Sequence, residues 1–217
     1  MRTFGIGDLW FILEAAQWTV ALSLIAFVGG ALGGLAVALS RTCDLPLLRN
    51  ASRVFILVFQ GTPLLLQLFL VFFGAPVLGL DINPWVAAGV ALILNTSAFL
   101  GEIWRGCIEA IPRGQREAAE ALNLSYKSRM MKVILPQAFK IALPPTVGYM
   151  VQIIKGTSLA AIIGFTEVTR AGQIINNATF QPLIVFSVVA VIYFLLCWPL
   201  SLLAGRMERR RNAALAR

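Results

Sequence analysis

Histidine is absent from this chain, cysteine occurs three times, and only ten residues are acidic among 217. Without histidine the commonest metal ligand and general base is missing, and Cys43, Cys107 and Cys197 show no C-x-x-C spacing. No nucleophilic triad or metal cluster can be assembled from what remains, so an enzyme is not expected. No G-x-x-x-x-G-K-[ST] sequence occurs, so ATP binding by a phosphate loop is not expected on this chain. Charge is scarce as well: 13% of residues are charged against 59% hydrophobic, far outside soluble usage. The first 17 residues are mixed and show no cleavable signal pattern.

What is present in quantity is apolar run length. A bilayer core of about 30 Å requires roughly 20 mostly apolar residues per spanning helix. Five runs meet that need, near residues 18–40, 54–73, 84–104, 141–165 and 183–204. The expected fold is therefore an all-α integral membrane protein with five transmembrane helices, residues 1–217 forming one transmembrane domain.

The basic residues orient it. Arg41, Arg49 and Arg53 follow the first run; Arg105, Arg113, Arg116, Lys127, Arg129, Lys132 and Lys140 follow the third; Arg206, Arg209, Arg210, Arg211 and Arg217 form the tail. These fifteen of the eighteen basic residues fall on one side, and short cytoplasmic segments are enriched in Lys and Arg, so the N-terminus is expected outside and the C-terminus inside. The net charge of +8 is explained by this flanking pattern and by anionic lipid, so no nucleic-acid partner is expected. Cys43 and Cys107 then lie on the cytoplasmic side and Cys197 within the last span, which implies no disulfide framework.

Polar residues interrupt the runs at particular places. Gly29, Gly30, Gly33 and Gly34 in the first give a small-residue face for close helix contact. Gln60, Gly61, Thr62 and Pro63 interrupt the second, where the proline removes a backbone donor and predicts a kink. The third carries Asn95, Thr96, Ser97 and Glu102, with Asn95 and Glu102 near one face and Arg105 three residues beyond; Glu102 either pairs with Arg105 or contacts substrate. The fourth opens with Pro144 and Pro145 and carries Tyr149, Gln152 and Lys155 at intervals of three, then Gly156, Thr157 and Ser158. An intramembrane lysine is a functional-site hypothesis, with snorkelling as its rival.

The segment 105–140 is long for a connection and its middle reads as a helix over residues 113–124. Arg113, Arg116, Glu117 and Glu120 share one face, and Ala118, Ala119 and Leu122 form a small apolar face opposite. Such a helix either packs on the span ends or lies in a groove on another protein.

Here the sequence reads Glu117-Ala118-Ala119-Glu120-Ala121-Leu122-Asn123, nine residues, then Val133-Ile134-Leu135-Pro136. This resembles the EAA loop of the permease subunits of binding-protein-dependent ABC importers, with Asn123 replacing the usual Gly and Val133 the usual Ile. Asparagine tolerates a left-handed turn better than other non-glycine residues. Gly61-Thr62-Pro63-Leu64, Glu102-Ile103-Trp104-Arg105-Gly106 and Lys155-Gly156-Thr157-Ser158-Leu159 are similar to the polar amino-acid subfamily (the histidine, glutamine and arginine type). The resemblance extends from about residue 17 to 206, and departs from the pattern at Gln60, where Arg is common, and at Gly156, where Asp or Asn is common.

The resemblance implies a permease in the bacterial inner membrane that moves a polar amino acid or a derivative of one. Its expected partners are two copies of an ATP-binding ABC subunit carrying ATP and Mg, a second identical or homologous permease subunit, an external solute-binding protein, and the lipid bilayer. Glu117, Ala118, Ala119 and Asn123 are the expected coupling-helix residues, and Gln60, Asn95, Glu102, Gln152, Lys155, Thr157 and Ser158 the expected substrate pathway. The alternatives are a secondary transporter or channel, and a membrane anchor or scaffold without a transport path.

Overall fold

The computed structural model describes residues 2–215, so Arg217 of the basic tail lies outside the described residues. All regular structure in them is helical. In chain order the helices are α1 (Ile6–Thr42), α2 (Pro46–Gly61), α3 (Leu64–Val77), α4 (Pro84–Glu109), α5 (Arg113–Ala121), α6 (Tyr126–Arg129), α7 (Leu135–Thr157), α8 (Val168–Thr179) and α9 (Pro182–Leu215). A π-helical turn, Met130–Ile134, joins α6 to α7, and a 3-10 turn, Ser158–Ile163, continues α7.

The centre of the molecule is α4. Its start follows from local chemistry: the Asn83 side chain accepts from Val86 N at 2.9 Å, and Pro84 occupies the first turn, where its missing N–H costs nothing. Of its most apolar stretch 61% is buried inside the molecule, against 22–33% for the other long apolar helices. The glycine face of α1 makes this possible. A Cβ at Gly29 would stand 2.7 Å from Ile93 Cδ1, and one at Gly30 would overlap the Thr96 side chain. Lipid tails are as apolar as leucine, so close backbone approach and dispersion hold these helices together where hydrophobic exclusion cannot.

Among the described residues four helices are long and apolar enough to cross a membrane, and the pair α2–α3 makes a fifth if it counts as one span. That pair is bent by 102° at Thr62–Pro63, far more than a kink in a continuous helix over 54–73. Proline removes the donor for the Phe59 carbonyl, and the chain restarts as a new helix rather than bending around the gap.

Other boundaries move outward. The first helix begins at Ile6 rather than near residue 18, because Ile12 and Ala15 are buried against Val168, Ala171, Ile175, Val185 and Val189 of α8 and α9. Asp8 closes its first turn, accepting from Gly5 N at 2.9 Å and pairing with Arg2. The fourth helical run begins well before Pro144 and Pro145, which sit inside α7. Ala38, Ile108, Ile111, Met130, Ile134 and Ala138 form a small core there, so most of the segment 105–140 is helix. Helix α8, unmarked in the run-length reading, is short and two-faced, with Val168, Ala171 and Ile175 inward. Outward-facing apolar side chains such as Leu32, Leu70, Leu183 and Leu203 remain exposed on the long helices, as a lipid-facing surface requires.

Candidate functional site

The α2–α3 break is the most heavily braced polar place in the molecule. Buried Gln67, one turn into α3, donates from Nε2 to the carbonyl of Phe59 at 2.9 Å, to the carbonyl of Thr62 at 3.0 Å and to Thr62 Oγ1 at 3.0 Å. Asn95 of α4 donates to Gln67 Oε1 at 3.0 Å and to the Phe59 carbonyl at 3.4 Å. Tyr149 of α7 donates to Asn95 Oδ1 at 3.4 Å, and its ring stacks on Phe99. Gln60, at the mouth of the break, donates to the Ala98 carbonyl at 3.3 Å.

Helix α7 and its 3-10 continuation meet the break end-on. A Cβ at Gly156 would come within 3.1 Å of Leu64 Cδ2, at the first residue of α3. A side chain at 156 would press on Leu64 and require it to give by a few tenths of an ångström. Lys155 and Ser158 flank this contact in the chain; Gln152 and Lys155 are exposed on α7, and Ser158 Oγ donates to the Lys155 carbonyl at 2.6 Å.

The expected pathway residues therefore divide. Gln60 and Asn95 come together at the break, whereas Gln152 and Lys155 are exposed on α7 and Ser158 opens the 3-10 turn. Thr157 points inward, fully buried, donating to the Ile154 carbonyl at 2.7 Å. Glu102 lies two turns along α4 from Asn95 and is held by Arg105 through Nη2–Oε1 at 2.5 Å and Nε–Oε2 at 2.9 Å, while Arg105 also pairs with Glu109. Such a two-point carboxylate–guanidinium contact is the boundary-pair geometry that helical spacing allows.

At the other end, α5 projects from the π-helical turn as a nearly free helix. Ala119 is buried against the chain, whereas Glu117, Ala118 and Leu122 are exposed, Leu122 by 75%. Its apolar face is thus split between an inner contact and an open one. The helix ends as a Schellman turn: Leu124 N donates to the Ala119 carbonyl at 3.1 Å and Asn123 N to the Glu120 carbonyl at 2.8 Å. Asn123 takes the left-handed backbone that this turn needs, at φ 53°. Arg116 ties the helix to the end of α4 through the Ile108 carbonyl at 3.0 Å, and Arg129 pairs with Glu120.

Gln67 and Glu167 are among the buried polar residues that the sequence reading did not single out. Gln67 is a lone amide in an apolar run, and its signal was its place four residues after Pro63, where it can reach back over the break. Glu167, fully buried, caps α8: it accepts from Arg170 N at 3.0 Å, from the Tyr193 hydroxyl at 2.5 Å and from Thr19 Oγ1 at 3.4 Å. It lies between the 3-10 turn and α8, outside the long apolar helices. Burial raises its carboxyl above the usual carboxylate range, and the Tyr193 and backbone donors pull the other way. Among the described residues no group of three Cys, Asp or Glu side chains gathers as a metal site would need.

Residues 30–213 match the family described as the binding-protein-dependent transport system inner membrane component. This chain belongs to that family. It is an inner-membrane permease subunit of an ABC importer, a transport subunit whose ATP hydrolysis sits on a separate subunit. Among curated members, the glutamine transport system permease protein GlnP of Escherichia coli (strain K12) is 37% identical over 92% of each chain. The L-cystine transport system permease protein TcyB of Bacillus subtilis (strain 168) is 32% identical over 99% of this chain and 96% of its own. In structure, the permease is similar to a chain of an amino acid ABC transporter crystallised with histidines, at TM-score 0.88 and 31% identity over 97% of this chain and 100% of that one. A chain of the MetNI methionine ABC transporter, 18% identical, shares the fold at TM-score 0.81 over 95% and 99%.

Proposed function

We propose that this permease carries a polar amino acid or amino-acid derivative into the cell, as one half of a pair of identical or homologous permease subunits. The observation that carries the coupling half of this reading is α5, a short capped helix whose Glu117, Ala118 and Leu122 face outward with nothing of the chain upon them. A helix fixed at its base by Ala119, Arg116 and the Asn123 turn, and open on its outer face, suits a socket in a separate ATPase. Two ATPase subunits, each with ATP and Mg, would dock there, and their closure would move α5 and the spans attached to it as one body.

The substrate class draws on the relatives, which are named for glutamine, cystine and arginine transport. In the proposed pathway Gln60, Gln152, Lys155 and Ser158 offer amides, a hydroxyl and one cation, chemistry that suits the carboxylate and ammonium of an amino acid, while buried Asn95, engaged with Gln67, shapes the break. Glu102 would serve the same path only by exchanging Arg105, and Thr157 only through packing. The N-terminus lies outside, the C-terminus and α5 inside, as the basic residues direct, and residues 1–217 act as one transmembrane domain. An external binding protein would deliver substrate to the outer face.

The test is ATP-dependent uptake of radiolabelled glutamine, arginine and cystine by the chain co-expressed with its ATPase and binding protein, beside Glu117→Lys. Uptake of one of the three, abolished by Glu117→Lys in a subunit that still reaches the membrane, is the expected result. Unchanged uptake in the variant removes α5 from the mechanism, and no uptake of any amino acid removes the substrate class.

A further inference from the structure

Pro63 leaves the Phe59 carbonyl without its helical donor, since Phe59 lies four residues before it and proline has no N–H. Phe59 is half-buried and residues 60–63 after it are exposed, so the vacated acceptor must be met by water or by a polar side chain. The replacement is a side chain. Gln67 Nε2 reaches the Phe59 carbonyl at 2.9 Å and spans the turn to the Thr62 carbonyl and Oγ1, both at 3.0 Å. Its own oxygen is held by Asn95 at 3.0 Å, and Asn95 in turn by Tyr149 at 3.4 Å. Every polar atom of the Gln67 amide is engaged in a side chain only 5% exposed.

We infer that Gln67 is a positioning residue for translocation: its amide stands in for the proline's missing N–H, fixes the angle between α2 and α3, and ties that angle through Asn95 and Tyr149 to α4 and α7. The inference rests on the proposed reading of the break as part of the transport path. The clamp acts through Gln60 and the chain around it, which it holds against α4. Because three helices share one hydrogen-bonded chain, a shift of α7 against α4 is transmitted to the break rather than absorbed by it. The two Nε2 hydrogens of Gln67, shared among three acceptors at the break, and its oxygen, held by Asn95, join the break to α4, and the 3.4 Å Tyr149–Asn95 contact extends the link to α7.

The test uses the whole importer, permease with its ATPase and binding protein, in proteoliposomes. Spin labels are placed on exposed Val58 and Leu70, either side of the break, after replacement of Cys43, Cys107 and Cys197. Gln67→Met keeps the length and apolar fit of the side chain but has no donor. In this variant the label-to-label distance distribution shifts or broadens. Radiolabelled amino-acid uptake per ATP hydrolysed falls about tenfold, corresponding to ~1.4 kcal/mol. A merely structural loss lowers uptake and hydrolysis together and leaves their ratio alone. An assembled Gln67→Met importer with unchanged distance and unchanged ratio overturns the clamp. Should Gln67→Met fail to assemble, Gln67→Asn keeps an amide whose reach is one methylene shorter, and unchanged distances with an unchanged ratio in that variant overturn the clamp equally. If the unsubstituted importer takes up no amino acid, the substrate reading fails, while the label distance still decides the clamp.

Discussion

Asn123 shows how much one side chain decides at the end of α5. Its backbone is left-handed, and a β-branched residue in that region carries a penalty of about 1–2 kcal/mol. Asn123→Val is therefore expected to lower the thermal unfolding midpoint of the detergent-purified subunit, with Asn123→Gly at or above the unsubstituted chain. Glu167 makes a different kind of prediction. Its carboxyl is raised by burial, so the native state holds its proton to higher pH than the unfolded chain does. The stability it contributes is present below the ordinary carboxylate value and is lost as pH rises through the raised one. Thermal unfolding across that window should show a declining midpoint for the unsubstituted chain and a flatter one for Glu167→Gln. An equal slope in both would show that Glu167 does not set the pH response.

Among the elements, the packing of α1 on α4 was legible, as was the site of the interruption at Gln60–Pro63, whereas its size was not. The four glycines of α1 announce a close partner, and Ile93, Thr96 and Ser97 of α4 fill the space where their Cβ atoms would stand. Gly30→Val forces this pair apart, and overpacking of this kind costs roughly 1–3 kcal/mol. A lower yield of folded subunit and a lower unfolding midpoint are expected, and a variant that unfolds with the unsubstituted chain would place the helices farther apart than described here. The starts of α4 at Pro84 and of α5 at Arg113 could likewise be read from the expected run and helix bounds. The 102° break could not, because run length and hydropathy measure a stretch of sequence and carry no direction. Helix α8 was hidden for a related reason: it is too short and too polar to register as a span, and its inner face is completed only by α1 and α9. Gln67 and Glu167 were invisible singly, since each makes sense only against partners distant in sequence.

For the molecule as a whole, the asymmetry of basic residues makes a topological prediction. Leu122→Cys on α5 and Leu78→Cys after α3 are both highly exposed positions, at opposite ends of this arrangement. In a chain lacking its three native cysteines, a membrane-impermeant thiol reagent applied to intact spheroplasts should modify Leu78→Cys, and Leu122→Cys only after lysis. The reverse pattern would invert the protein and place α5 beyond reach of an intracellular ATPase. The family assignment was carried by the spacing from Glu117 to Pro136, and the fold follows it. The pathway was less legible, because the same residue types serve as ligands, as caps and as internal ties, and Glu102 with Arg105 shows that spacing alone does not separate these uses.

The division of the second apolar run into α2 and α3 also bears on how the protein is made. Their 16 and 14 residues correspond to about 24 Å and 21 Å of helix, each short of a bilayer core of about 30 Å. Neither piece could enter the membrane as a separate span, but the continuous apolar run 54–73 could. The run therefore enters the bilayer as one unit, with its interruption at Pro63 already set by the missing donor and Gln67 already in place to meet Phe59. What arrives later is the tie from Asn95, so a chain arrested before α4 should carry a second span that is already broken but whose angle is not yet fixed by α4.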